Sequence, residues 1–310
     1  MRNASLASVV TLTVLLIGRA ASVVVAQQPL AVFKSTVAVV PISVVVHDSH
    51  GHVVTSLTSR DFEILDKGEP RPIIDFRAER NSAVTIAMLI DTSGSMRVSS
   101  KFELAREVVK QLACGLEDGR DEVSLFTFDS TLRVQQPFTP HPTSLDTALE
   151  GAEPFGMTSL YDAVAETAKR LADRGAARRA ILVLTDGIDT GSALSASEVS
   201  GLASSIDVPV YVVATVAPID RAMANDRADA AGKSSDGDLR DLALWTGGEV
   251  HWVTGVGEAV TQARAIISEL RQTYVITVES ATEPEWRPID VRVRARRHLA
   301  VRARSGYFSR

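Results

Sequence analysis

The chain has 310 residues, with 33 basic and 38 acidic side chains, a formal net charge of -5 and one cysteine. This length predicts two domains, or one domain with attached segments. The apolar fraction of 45% allows a packed core and excludes a chain that is disordered throughout. The mild acidity argues against a general nucleic-acid-binding protein. The single thiol, Cys114, excludes an internal disulfide and a Cys-rich zinc site, and we expect it to be a small core residue of a helix.

The first 26 residues have the pattern of an export signal. Arg2 gives a positive start, residues 4–18 form an apolar run, and the small residues Val24-Val25-Ala26 offer a cleavage site. The run is shorter than the ~20 residues of a membrane-spanning helix. An uncleaved anchor stays open as the alternative, because apolar residues resume after Arg19. In both cases we expect the folded part to be exported, either secreted or in the periplasm or cell envelope.

Residues 27–82 are predicted to form a β-rich segment. Val37–His47 is rich in valine and is followed by a turn cluster, and Phe62–Leu65 is a second strand followed by another turn. This segment is small for an independent core.

Residues 83–271 are predicted to form an α/β unit. Val84–Ile90 is a continuous apolar run, as expected for a strand buried on both faces, and Phe102–Leu116 carries apolar residues at helical spacing. The other predicted elements are the strands Val123–Phe128, Ala180–Leu184, Val208–Thr215 and Glu249–Val253, and the helices Leu160–Leu171, Ala196–Ile206, Leu239–Thr246 and Val256–Leu270. Strands that alternate with helices imply a mostly parallel sheet covered on both faces.

Residues 272–310 are again β-rich, because Tyr274–Val278 and Ile289–Val301 alternate apolar with polar residues. Neither flanking segment has enough apolar residues to stand alone, so we expect the two to form one small β domain with the α/β unit inserted between them. The predicted organisation is a signal at 1–26, β-rich segments at 27–82 and 272–310, and the α/β domain at 83–271.

Polar motifs adjoin three of the α/β elements. Asp91-Thr92-Ser93-Gly94-Ser95 follows the strand Val84–Ile90, and Asp186 follows the strand Ala180–Leu184. Thr158 lies in a loop that leads into a helix. Because ligands collect where the carboxyl ends of parallel strands meet, we expect these residues to face one another.

The candidate donors are two carboxylates, Asp91 and Asp186, and three hydroxyls, Ser93, Ser95 and Thr158. All are hard oxygen donors, which suit Mg²⁺, Ca²⁺ or Mn²⁺ rather than Zn²⁺. Mg²⁺ often keeps several bound waters, so it does not need six protein ligands. Waters and a ligand oxygen would supply the remaining donors.

The sequences DTSGS, TSLYDA and TDG together resemble the metal-ion-dependent adhesion site of von Willebrand factor type A domains. The resemblance implies a Rossmann-like, doubly wound sheet with one short antiparallel strand, for which Leu132–Gln135 is the candidate. It implies that three hydroxyls touch the metal and that two carboxylates act mainly through bound water; these are Ser93, Ser95 and Thr158, and Asp91 and Asp186. The flanking sequences Leu57–Phe62 and Val301–Phe308 also resemble a narrower group of secreted bacterial proteins with a related domain.

The resemblance implies an exported, adhesion-type module that binds protein and is not an enzyme. An Asp or Glu carboxylate of the partner would complete the cation's coordination shell. We expect Mg²⁺ as the cofactor, with Ca²⁺ or Mn²⁺ possible, no nucleic-acid partner, and contact with a membrane only if the signal is uncleaved.

Three alternatives remain at this point. The metal could merely stabilise a structural or scaffolding envelope protein, or the hydroxyls could only cap helices and turns. A hydrolase is disfavoured: Asp189-Thr190-Gly191 and Asp91-Thr92-Ser93-Gly94 resemble the motif of aspartic proteases, but those enzymes are all-β.

Overall fold

The computed structural model describes residues 38–145, 147–174, 178–187, 189–205, 207–215, 235–294 and 298–309. The predicted export signal therefore lies outside the described residues. Within these ranges, no helix combines the length and apolar character that a bilayer crossing requires.

Strands and helices alternate through the middle of the chain, and strands predominate in the described residues on either side of it. The strands are β1 (Val39–His47), β2 (Phe62–Asp66), β3 (Glu69–Arg71), β4 (Ile73–Ala78), β5 (Val84–Asp91), β6 (Glu122–Phe128), β7 (Leu132–Thr139), β8 (Arg178–Thr185), β9 (Val210–Thr215), β10 (Val250–Val253), β11 (Tyr274–Glu279), β12 (Trp286–Val293), β13 (Ala300–Ala303) and β14 (Gly306–Phe308). The helices are α1 (Lys101–Gly115), α2 (Leu160–Ala172), α3 (Ala196–Ser205), α4 (Ser235–Thr246) and α5 (Val256–Arg271).

The middle of the chain forms a six-stranded sheet with the order β10-β9-β8-β5-β6-β7. Neighbouring strands are parallel except at the edge, where β7 runs antiparallel to β6. The predicted α/β unit is thus confirmed, and so is the expectation that Leu132–Gln135 lies in an antiparallel edge strand.

Both faces of this sheet are covered by helices. Side chains of β5 alternate between the two cores: Ile86 and Met88 pack with residues of α1 and α5, whereas Ala87 and Leu89 pack with residues of α2, α3 and α4. All eight residues of β5 are buried, as expected for a central strand of a doubly covered parallel sheet.

The two ends of the chain pair with each other, as predicted. Antiparallel pairing joins β1 to β11 and β2 to β12. The result is two four-stranded sheets, with the orders β13-β1-β11-β4 and β14-β12-β2-β3. A shared apolar core contains residues of both sheets, among them Ile42, Ile64 and Ile276. The division of the chain at residues 82 and 271 into separate domains stays a prediction.

The expectation that Cys114 is a core residue is wrong. Cys114 is exposed, because the buried face of α1 is formed by residues such as Leu112 and Ala113 and the next residue turns away by about 100°. The alternating segment Ile289–Val301 contributes to two strands, since β12 ends at Val293 and β13 begins at Ala300.

Candidate metal centre

The candidate site lies at the carboxyl edge of the central sheet. Strand β5 ends at Asp91, and the parallel strand β8 beside it ends at Thr185, directly before Asp186. The segment after Asp91 forms a 3-10 helix, Gly94–Ser100, that leads into α1. Two of the predicted motifs therefore start from neighbouring strands.

Asp91 is fully buried and is held on both carboxylate oxygens. The backbone N–H of Ser93 donates to Oδ1 at 2.8 Å, and the hydroxyl of Thr185 donates to Oδ2 at 2.6 Å. Burial raises the pKa of Asp91 to about 6, although these hydrogen bonds favour the charged form. The negative charge of Asp186 also raises this pKa. Among the described residues, no Lys, Arg or His forms an ion pair with Asp91, and a metal ion would supply the compensating charge.

The hydroxyls of Ser93 and Ser95 link this loop to Asp186. Their Oγ atoms lie 3.0 Å apart, and the Ser95 hydroxyl donates to Oδ1 of Asp186 at 3.1 Å. Four of the five predicted residues are thus connected by direct hydrogen bonds: Asp91, Ser93, Ser95 and Asp186. Within this hydrogen-bonded group, Ser95 is exposed to solvent and Asp91 is buried.

Thr158 is brought to the same edge by backbone contacts of its loop. The N–H of Gly94 donates to the Gly156 carbonyl at 3.0 Å, which joins this loop to the one after β5. Gly156 has a φ of 97°, a conformation that favours glycine. On the other side, the N–H groups of Thr190 and Gly191 both donate to the Thr158 carbonyl at 2.9 Å. Thr158 is therefore tied by its own carbonyl to the loop after β8 and through Gly156 to the loop after β5.

Asp189, which prompted the protease alternative, has a structural role. Its Oδ1 accepts a hydrogen bond from the N–H of Leu160, the first residue of α2, at 2.7 Å, and another from the Ser192 hydroxyl at 2.6 Å. These contacts order the start of α2, where negative charge is favoured.

Lys101 is a site residue that the sequence interpretation missed. Its Nζ lies 2.9 Å from Oδ2 of Asp186, and its side chain is 20% exposed. No sequence signal singles out Lys101, which directly follows the 3-10 helix Gly94–Ser100 at the start of α1. The sequence does not show which of the many acidic residues compensates this charge.

The donor set fits a hard divalent cation. The donors are oxygen atoms alone, from two carboxylates and three hydroxyls. They range from the buried Asp91 to the exposed Ser95. In the part of the chain that the structure describes, no three His, Cys, Asp or Glu side chains cluster as a metal site. A cation here would therefore depend on the hydroxyls, which leaves it only partly neutralised.

Exposed apolar side chains belong to the same loops. Phe155 is 75% exposed and Met157 is 55% exposed, and both belong to the loop that carries Thr158. Val98, which is 59% exposed, belongs to the 3-10 helix after Ser93. We call these three residues the apolar rim. These side chains are therefore available for contact with a partner that approaches the site.

Comparisons with known proteins identify the family that the central part of the chain resembles. Residues 86–188 match the family model described as von Willebrand factor type A domain. A search of the curated proteins gave no significant match.

Solved structures resemble the chain in fold. A von Willebrand factor type A structure from Catenulispora acidiphila is 12% identical, covers 74% of this chain and 72% of that chain, and has a TM-score of 0.51. The conserved hypothetical protein BatB from Bacteroides thetaiotaomicron is 19% identical, covers 61% of this chain and 98% of that chain, and has a TM-score of 0.49. An aerotolerance-related membrane protein from Bacteroides fragilis is 21% identical, with the same coverages, 61% and 98%, and a TM-score of 0.49.

Proposed function

Because the chain contains a von Willebrand factor type A domain, we propose that it is an exported, metal-dependent protein-binding module without catalytic activity. The observation that carries this proposal is the hydrogen-bonded array of Asp91, Ser93, Ser95 and Asp186 at the carboxyl edge of the sheet. Asp91, Ser93, Ser95, Thr158 and Asp186 would hold Mg²⁺, or Ca²⁺ or Mn²⁺ in its place.

The chemistry of the array favours binding over bond cleavage. When bound, the cation supplies a Lewis-acidic position that an incoming carboxylate oxygen can fill. The hydroxyls of Ser93 and Ser95 carry no formal charge and so leave the cation electron-poor. Asp91 is buried and hydrogen-bonded by Thr185, so it can orient a bound water but cannot reach a partner.

The apolar rim supports a protein partner rather than a small anion. A protein segment can place an Asp or Glu carboxylate at the centre of the contact and apolar side chains against Phe155 and Met157. Fully desolvated charge-assisted contacts surrounded by apolar groups are typical of binding hot spots.

Metal-dependent capture of an envelope protein tests the proposal. The folded protein is immobilised and exposed to an envelope extract of the parent cell in Mg²⁺, after chelation, and after Mg²⁺ is restored. We expect one set of bound proteins that disappears on chelation and returns with Mg²⁺. Ser95→Ala should abolish this capture, whereas Ser49→Ala, which removes an exposed hydroxyl at the turn after β1, should not.

The same experiment distinguishes the binding proposal from the alternative that the metal only stabilises a structural or scaffolding protein. If Mg²⁺ stabilises the protein against heat but capture is equal with and without chelator, the metal is structural and the binding proposal is wrong.

A further inference from the structure

We propose that Lys101 is a positioning residue that lowers the affinity of the site for a divalent cation and thereby keeps the bound cation attractive to a carboxylate. This inference rests on the proposed function, since it concerns the same metal centre. It is drawn from the ion pair between Lys101 and Asp186.

The ion pair is close and shielded from water. Lys101 Nζ lies 2.9 Å from Asp186 Oδ2, and the two side chains are 20% and 5% exposed. The other oxygen of Asp186, Oδ1, accepts a hydrogen bond from the hydroxyl of Ser95. Asp186 can therefore keep Lys101 on one oxygen while its second oxygen serves the metal centre.

The acidic partner of Lys101 belongs to the candidate metal centre. Lys101 is the first residue of α1 and directly follows the 3-10 helix Gly94–Ser100, and its backbone N–H donates to the carbonyls of Met96 and Val98. Among the described residues, Asp186 is the one acidic side chain in ion-pair contact with it. Lys101 therefore supplies a counter-charge to Asp186.

The balance of charges gives the consequence. Asp91 and Asp186 carry two formal negative charges, which equal the charge of a divalent cation in sum although they would act on it mainly through water. With Lys101 included, the metal and these three side chains carry a net charge of about +1. We therefore expect the metal to bind more weakly, and an acidic group of a partner to bind more strongly, than in a site without Lys101. At partly exposed positions this effect amounts to roughly three- to tenfold in each affinity.

Calorimetric titration with Mg²⁺ tests the first half. Lys101→Met should bind Mg²⁺ roughly three- to tenfold more tightly than the unaltered protein, and Lys101→Arg, which keeps the charge, should restore the original affinity. Lys110→Met is the matched control, since it removes an exposed lysine of the same helix, and it should leave the affinity unchanged. A merely structural Lys101 would give the opposite sign, because loosening the site weakens metal binding.

Titration of the Mg²⁺-loaded proteins with acetate, the simplest carboxylate, tests the second half. We expect Lys101→Met to bind acetate roughly three- to tenfold more weakly than the unaltered protein and Lys110→Met to match it. Unchanged or weaker Mg²⁺ binding by a folded Lys101→Met protein, or unchanged acetate binding, overturns the inference and leaves the proposed function standing. Absence of Mg²⁺ binding by the unaltered protein overturns both.

Discussion

Asp91 is a buried carboxylate whose environment disfavours its own charge. Its pKa is raised to about 6 by burial, so above that pH the folded, metal-free protein contains an ion that water would solvate better. The unfolded chain has no such cost. Asp91 therefore destabilises the metal-free fold at neutral pH, and a bound cation would remove the penalty.

We predict that Asp91→Asn stabilises the metal-free protein at pH 8 by about 1 to 3 kcal/mol and abolishes its stabilisation by Mg²⁺. The amide keeps the shape of the side chain and removes the charge. Thermal unfolding with and without Mg²⁺ measures both effects. A metal-free Asp91→Asn protein that melts below the unaltered one would contradict the account.

Asp129 provides the matched control for Asp91. It follows the neighbouring strand β6, but its carboxylate is paired with Arg133 at 2.7 Å. Although partial burial acts to raise the pKa of Asp129, the hydrogen bond and charge of Arg133 lower it overall. Asp129→Asn should therefore destabilise the protein at pH 8 and leave the Mg²⁺ effect in place.

Short motifs were enough to identify most of the candidate site. Asp91, Ser93 and Ser95 are close in sequence, and their spacing after a buried strand placed them correctly at the sheet edge. Lys101 was missed because its partner lies 85 residues away, and a contact of that kind depends on the packing of β5 beside β8.

Helices and strands are predicted accurately where the hydrophobic pattern extends over many residues. The run Val84–Ile90 and the helix Phe102–Leu116 were placed within one or two residues of β5 and α1. The division of Ile289–Val301 between two strands could not be predicted from its polarity pattern, because that pattern does not identify the strand with which each part pairs. Strand β12 pairs with β2, whereas β13 pairs with β1.

The connection from α4 to β10 depends on a glycine that has no room for a side chain. A Cβ at Gly248 would overlap the backbone carbonyl of Val210 in β9. We predict that Gly248→Ala destabilises the protein by at least about 2 kcal/mol, because strand backbone cannot move aside as a flexible side chain can.

Gly257→Ala is the control for this substitution, since nothing lies within 4 Å of its Cβ position. It lies in α5, where alanine is the better helix former. Urea unfolding compares the two variants. Equal unfolding midpoints for Gly248→Ala and the unaltered protein would contradict the close approach of Gly248 to the backbone of β9.

A buried ionic cluster joins the α/β unit to the paired ends of the chain. Glu269 of α5 accepts hydrogen bonds from Tyr211 of β9 and Arg302 of β13, and it lies 3.2 Å from His47 of β1. Burial alone would raise the pKa of Glu269, but the hydrogen bond from His47, the charge of Arg302 and the hydrogen bond from Tyr211 lower it to about 2.

This shift predicts how stability depends on acid. Because the pKa of Glu269 is lower in the folded protein than its ordinary value of 4.5, its contribution is complete above pH 4.5 and is lost as the pH falls toward 2. We expect the free energy of unfolding from urea titrations to fall across this range. Glu269→Gln should be less stable at pH 7 and should show a shallower decrease. An equally steep decrease in Glu269→Gln would contradict this role.

The most direct test of the metal centre is a crystal structure of the full chain grown with Mn²⁺, with anomalous scattering used to locate the ion. The account predicts one strong peak within coordination distance of the hydroxyls of Ser93, Ser95 and Thr158, with Asp91 and Asp186 contacting it mainly through water. Well-ordered loops with no peak at this position, or a peak held by other residues alone, would contradict it.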